Sequence, residues 1–324
     1  MKFWVGVTDN RWYSYLAERQ PDEVNFWRPK STAQFRAIAP GGLFLFKLRG
    51  PLNFIAGGGF FLRHSVLPLS LAWEAFGNKN GADDIVAFRE NIWSIRRDRL
   101  PDPQIGCTIL VEPFFWDREH WINVPEDWSR NLVQGKGYST DEPIGARLWS
   151  QVQERLTQER WTEEPSQVVA EEQTRYGDEF IMRARLGQGA FRVLVTEAYD
   201  RRCAVTGERT LPVLEAAHIK PFAKSGPHRV KNGLLLRSDL HILFDRGYVT
   251  VTPQRRIEVS RRIREEFENG RDYYVFHGKE LRILPSRPEE QPGGEFLRWH
   301  NNEIFLGEEK GIVHEAVIGP NSGI

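Results

Sequence analysis

Glu215-Ala216-Ala217-His218-Ile219, then Asn232-Gly233-Leu234-Leu235-Leu236, then His241-Ile242-Leu243-Phe244-Asp245-Arg246-Gly247 are the stretches that decide the C-terminal half of this chain. The apolar run over 211–217 predicts a strand that closes on His218. A loop containing Gly226-Pro227 follows. Beyond Asn232 and its apolar neighbours, the spacing predicts a helix through 240–244. His241 and Asp245 are four apart on that helix and share a face. Asn232 lies in the connection between strand and helix, nine residues before His241. An imidazole at a strand end and an imidazole–carboxylate pair on the next helix form a constellation that can bind a cation and move a proton.

Upstream, Phe191, Val195 and Tyr199 fall at i, i+4 and i+8 on one helical face, and Cys203-Ala204-Val205-Thr206-Gly207 reads as a turn. Residues 141–180 are dominated by Glu, Gln, Arg and Ser and read as two helices of a polar connector or arm, or as a linker. Residues 1–150 read as α+β. Strands are predicted over 3–7 and over Leu43-Phe44-Leu45-Phe46-Lys47-Leu48, with a hairpin partner over 53–56 running into Gly57-Gly58-Gly59. A further strand over 107–111 is expected to be closed by Glu112-Pro113. Helices are predicted behind a cap at Asp9 or Asn10, over 70–76 and over 84–95. Several strands and few helices predict a small curved sheet or barrel.

The chain has 324 residues, enough for two ordinary domains and a full core without metal or disulfide staples. Lys+Arg and Asp+Glu are both 44, which excludes a grossly basic coat protein and an acidic disordered one. The zero is a sum of blocks: residues 1–100 carry +5, 101–180 carry −9, 181–282 carry +8 and 283–324 carry −4. Nine of the 11 tryptophans fall between Trp4 and Trp149, outside the second basic block, which again predicts two domains. With only Cys107 and Cys203, no signal-peptide pattern at Met1-Lys2-Phe3-Trp4 and no membrane-length apolar run, a cytoplasmic protein away from membranes is expected.

The three opening stretches closely resemble the HNH endonuclease family, in the branch that lacks the structural zinc ribbon. The likeness extends to Gly187-Gln188-Gly189-Ala190-Phe191-Arg192, Tyr199 and 203–207 on one side, and to Leu297-Arg298-Trp299-His300-Asn301 and Ile304-Phe305-Leu306 on the other, so it covers roughly residues 181–306. It implies a ββα-metal unit in which His218 is the general base, Asn232 holds the loop and helps orient that base, and His241 binds the single catalytic divalent metal, Mg2+, Mn2+ or similar. Asp245 stands at the second helical ligand position. Ala217 stands where many relatives have a further ligand, and Glu215, two residues earlier on the same side of the strand, is a candidate replacement. No structural zinc is expected, because Thr206, Arg237 and Leu240 occupy the positions that would complete a site with Cys203. The other histidines, His64, His120, His228, His277, His300 and His314, read as ordinary surface or core residues.

In the first domain, Phe3-Trp4-Val5-Gly6-Val7, Asn25-Phe26-Trp27-Arg28-Pro29-Lys30-Ser31, Gly57-Gly58-Gly59-Phe60-Phe61 and Trp73-Glu74-Ala75-Phe76-Gly77 are similar to the PUA-like superfamily, which includes the EVE and YTH modules. That resemblance implies a module that flips a modified base, a modified cytosine above all, into an aromatic pocket. Trp27, Ser31 and Trp73 are the candidate pocket residues, and core packing is the alternative role for the tryptophans. Together the resemblances imply residues 1–150 as a reader, 151–180 as a helical connector, 181–306 as the nuclease and 307–324 as a tail. The expected protein is a homodimeric, modification-dependent restriction endonuclease of a phage-defence system acting on double-stranded DNA. The alternatives are an HNH nuclease without modification dependence, nicking or ligand-gated, and a non-catalytic nucleic-acid-binding protein with a decayed site.

Overall fold

The computed structural model describes residues 1–30, 34–129, 131–160 and 186–307. The candidate pocket residue Ser31, the later part of the connector and the tail beyond 307 therefore lie outside the described residues. The chain divides into two units, Met1–Leu194 and Val195–Ile324.

The first unit is a mixed sheet with helices. In chain order it comprises β1 (Lys2–Thr8), α1 (Asn10–Arg19), β2 (Glu23–Arg28), β3 (Leu43–Leu48), β4 (Phe54–Pro68), α2 (Leu69–Phe76), α3 (Ile85–Ile95), β5 (Gln104–Phe115), β6 (Ile122–Asn123), β7 (Gly135–Ser139) and α4 (Pro143–Arg160). The strand order is β2-β5-β4-β3-β1-β7, with β6 added beside the start of β4. β1 and β3 are parallel, and the other pairs are antiparallel. Of the two expected forms, a curved sheet or a barrel, the barrel does not close: among the described residues no ladder joins β2 to β7, and the sheet is open.

The layering that covers this sheet is visible in β3. Phe44, Phe46 and Leu48 pack into one core with Trp12, Tyr13 and Leu16 of α1. Leu43 and Leu45 pack into a second core with Leu148 and Val152 of α4. Alternate residues thus face opposite layers, and a sheet covered on both faces reads as a continuous apolar run. Each fully buried Phe or Leu contributes roughly 1.5–3 kcal/mol of transfer free energy. Helices take up the faces, so closure of the sheet on itself is not needed to bury them. Asp9 caps α1 by accepting from the amides of Arg11 and Trp12, and Asp84 caps α3 through the amide of Ala87.

One expected stop is absent. β5 continues through Glu112-Pro113 to Phe115. Glu112 takes φ 48°, and the pairing jumps from Gly58–Phe114 to Phe60–Val111, so the dipeptide is absorbed as a bulge.

Helix α5 (Gln188–Ala198) leads into the second unit. That unit continues with β8 (Leu214–His218), β9 (Gly233–Arg237), α6 (Ser238–Asp245), β10 (Val249–Val251), β11 (Ile257–Val259), α7 (Arg262–Phe267), α8 (Arg271–Tyr274) and α9 (Gly294–Glu303). β8 and β9 form an antiparallel hairpin in which His218 pairs with Gly233 and Ala217 with Leu234. Tyr199, Ala217, Leu234, Leu235, Leu240, Phe244 and Leu297 are buried in this unit. Tyr199 donates its hydroxyl to the Gly233 carbonyl at 3.2 Å, which fixes the start of β9.

Candidate active site in the C-terminal unit

The hairpin and α6 are built from nearby chain, so the four side chains are assembled locally. His218 is the last residue of β8, Asn232 immediately precedes β9, and His241 and Asp245 lie on α6. Asn232 is fully buried and uses its amide at both ends. Its Oδ1 accepts from the Lys220 amide at 2.9 Å, and its Nδ2 donates to the carbonyls of Lys220 and Pro227, each at 2.9 Å. A buried amide satisfied in this way pins the long β8–β9 loop at two points.

His241 sits between two carboxylates. Its Nδ1 is 2.6 Å from Glu215 Oε2, and its Nε2 is 3.3 Å from Asp245 Oδ2. Burial pushes the Asp245 carboxyl above its ordinary range; His241 opposes that shift and the Glu215 charge adds to it. His218 is pushed down to about 4, chiefly by burial and then by the nearby charges of His228 and His241. At neutral pH its imidazole is uncharged and able to take up a proton.

A residue with no sequence signal stands beside it. His228 Nδ1 is 2.9 Å from His218 Nε2. Its ring is stacked on Phe222 at 4.5 Å and 12°. Nothing but its place in the loop that precedes Asn232 distinguishes this histidine in the sequence. The same loop carries Lys220, Lys224, Arg229 and Lys231 with no acidic residue between 219 and 232.

Imidazole nitrogen and carboxylate oxygen are donor types that divalent cations accept, and His241 with Asp245 offers one of each on a single helix face. Among the described residues, no group of three or more His, Cys, Asp or Glu side chains stands ready to hold a metal ion. Cys203 is buried and its sulfur accepts from the Thr206 amide at 3.4 Å. Arg237 forms a two-bond pair with Asp239, and Leu240 is buried.

In the first unit, Trp27 and Trp73 come together on one ring. Trp27 meets Phe88 edge-on at 5.6 Å, and Trp73 lies 6.0 Å from it at 35°. The Trp27 indole donates to the Asn80 carbonyl at 2.9 Å. Elsewhere in the unit, Trp4 meets Phe35 edge-on at 5.4 Å, and its buried indole N–H finds no partner among the described residues. Burial, then the Arg28 charge, pushes His64 down to about 4.

Residues 203–252 match the family described as HNH endonuclease, so the C-terminal unit carries an HNH endonuclease domain. No curated protein matches the chain. Among solved structures, the chain is similar to one titled "Modification dependent TagI restriction endonuclease", at 15% identity over 87% of this chain and 75% of that one, with a TM-score of 0.25. That likeness is distant and says nothing about the site. No helix among the described residues is long and apolar enough to cross a membrane.

Proposed function

We propose that this protein is a divalent-metal-dependent DNA endonuclease whose N-terminal unit reads a modified base. The observation that carries the nuclease reading is the HNH domain match, with His218, Asn232, His241 and Asp245 on one hairpin and its following helix. Hydrolysis of a phosphodiester needs a proton acceptor for the attacking water and a cation against the charge on the phosphate. His218, uncharged at neutral pH, is the acceptor. Asn232 keeps the β8–β9 loop closed around it. His241 and Asp245 would hold the metal, which would supply charge neutralisation on the phosphate and leaving oxygen. Glu215 orients His241 through Nδ1, the usual work of a carboxylate behind a metal-binding imidazole.

The reader role rests on the PUA-like resemblance of the first unit and on the gathering of Trp27 and Trp73 around Phe88. On that reading the target is a modified cytosine in double-stranded DNA, and a homodimer is the form that cuts both strands. A decayed, DNA-binding HNH site is the competing reading, and Ala217, standing where many relatives have a further ligand, is the residue that favours it.

The test is cleavage of plain, methylated, hydroxymethylated and glucosylated DNA with Mg2+ or Mn2+, beside the His218→Ala variant and a chelator control. We expect metal-dependent cutting of a subset of the four substrates and none by His218→Ala. Equal cutting of all four removes the modification dependence. No cutting of any, with DNA binding intact, supports the decayed site.

A further inference from the structure

We propose that His228 is a positioning residue for His218: it accepts the Nε2–H of His218 at its own Nδ1 and so fixes the tautomer in which the Nδ1 lone pair of His218 faces the reaction. This inference rests on His218 being the base. A neutral imidazole carries one proton on one of its two nitrogens, and only the other nitrogen can act as a base. The 2.9 Å contact joins His218 Nε2 to His228 Nδ1, so one of the two rings must donate across it. If His228 donated, His218 would carry its proton on Nδ1 and lose its basic nitrogen there. If His218 donates, its Nδ1 keeps the lone pair.

The chain fixes His228 in place from three directions. Phe222 lies flat against the ring at 4.5 Å while remaining 66% exposed itself, so the stacking serves the histidine more than it buries the phenylalanine. Asn232 donates to the carbonyl of Pro227, the residue before His228, and with the same amide group clasps Lys220, two residues after His218. Gly226 passes so close to the Lys220 carbonyl that an added Cβ would stand 1.8 Å from its oxygen. One buried amide and one tight glycine therefore set the spacing between the two imidazoles. Asn232 accordingly holds base and partner at hydrogen-bonding distance.

In the reaction, the water O–H bond breaks and its proton passes to His218 Nδ1. The oxygen bonds to phosphorus, the bond from phosphorus to the leaving oxygen breaks, and that oxygen takes a proton from solvent. His228 accepts the Nε2–H of the imidazolium formed on His218 and stabilises it.

Two variants separate positioning from folding. His228→Phe keeps a ring against Phe222 and removes the acceptor, whereas His228→Asn keeps an acceptor near the Nδ1 position and removes the ring. We expect His228→Phe to lower kcat by roughly 10- to 100-fold with KM for DNA little changed, as for other partners behind a functional imidazole, and His228→Asn to recover much of the loss. Nitrogen-15 NMR of the histidine rings in the full-length protein reads the tautomer without any turnover. It should show His218 protonated at Nε2 in the wild type and a mixture in His228→Phe. Wild-type His218 protonated at Nδ1, or His228→Phe cutting at the wild-type rate, overturns the proposal. A rise in KM alone also overturns it and makes His228 a DNA contact. Cutting by His218→Ala is the separate result that removes the base assignment itself.

Discussion

His300 shows how a single buried side chain can support a site that it does not join. It is 2% exposed, stacks on Phe244 at 3.7 Å, and bonds the Phe244 carbonyl through Nε2 at 3.1 Å and Thr250 Oγ1 through Nδ1 at 2.8 Å. Phe244 precedes Asp245, so the ring braces the end of α6 from within the core. Burial pushes His300 down to about 4, against the hydrogen bond to Phe244. An unfolded histidine titrates near 6.5, so between about 6.5 and 4 the unfolded chain binds the extra proton. The stabilisation is fully present above about 6.5 and is lost progressively as pH falls from there towards 4, on the order of 3 kcal/mol for this group. Urea denaturation at pH 7 and pH 4.5 should show a marked loss, and the His300→Gln variant, weaker at pH 7, should lose less between the two. Equal losses would place the acid sensitivity elsewhere, with His64 and His218 the next groups to test. At this scale the candidate site was largely legible, because His218, Asn232, His241 and Asp245 are close in sequence and chemically distinctive. His228 was not legible: its contact depends on how a loop closes, and no residue spacing encodes that.

Among the elements, β3 was readable because both its faces are apolar, whereas β2 was not. Glu23 and Asn25 are buried polar residues on β2, bonded to Lys79 and Asn80, and they break the apolar pattern by which a strand is recognised. The parallel pairing of β1 with β3 was equally hidden, since register between distant strands is a tertiary outcome. The glycine run after residue 56 lies inside β4 rather than between strands. Gly57 is there because the neighbouring strand is too close for a side chain: an added Cβ would stand 2.2 Å from the Phe114 carbonyl oxygen. Backbone cannot yield as a flexible side chain can, so Gly57→Ala should destabilise the first unit by about 1–3 kcal/mol or more. A thermal melt checks it, and an unchanged Tm would show that β4 and β5 can part locally. The bulge at Glu112 is the converse case, where a residue pair that normally ends a strand is carried through it with a positive φ.

Taken over the whole molecule, the net charge of zero conceals where nucleic acid would bind. The second basic block includes the β8–β9 loop, where Lys224 is exposed and Arg229 stands five residues on. If they meet phosphates, each of Lys224→Ala and Arg229→Ala should flatten the plot of log affinity against log salt by about one unit. Fluorescence anisotropy across a salt series measures this, and an unchanged slope would put the loop off the DNA. The division into a tryptophan-rich and an arginine-rich part was visible from composition. The openness of the sheet was not, since it depends on which strands end up at the rims. Those rims have a consequence for behaviour at high concentration. β7 is a five-residue rim strand, Gly135-Lys136-Gly137-Tyr138-Ser139, whose lysine is tied to Asp127 at 2.5 Å. Short, glycine-bearing and charged, it is a poor template for a strand from another molecule. Addition of a strand from another copy, and with it stacking into extended aggregates, is disfavoured along this rim.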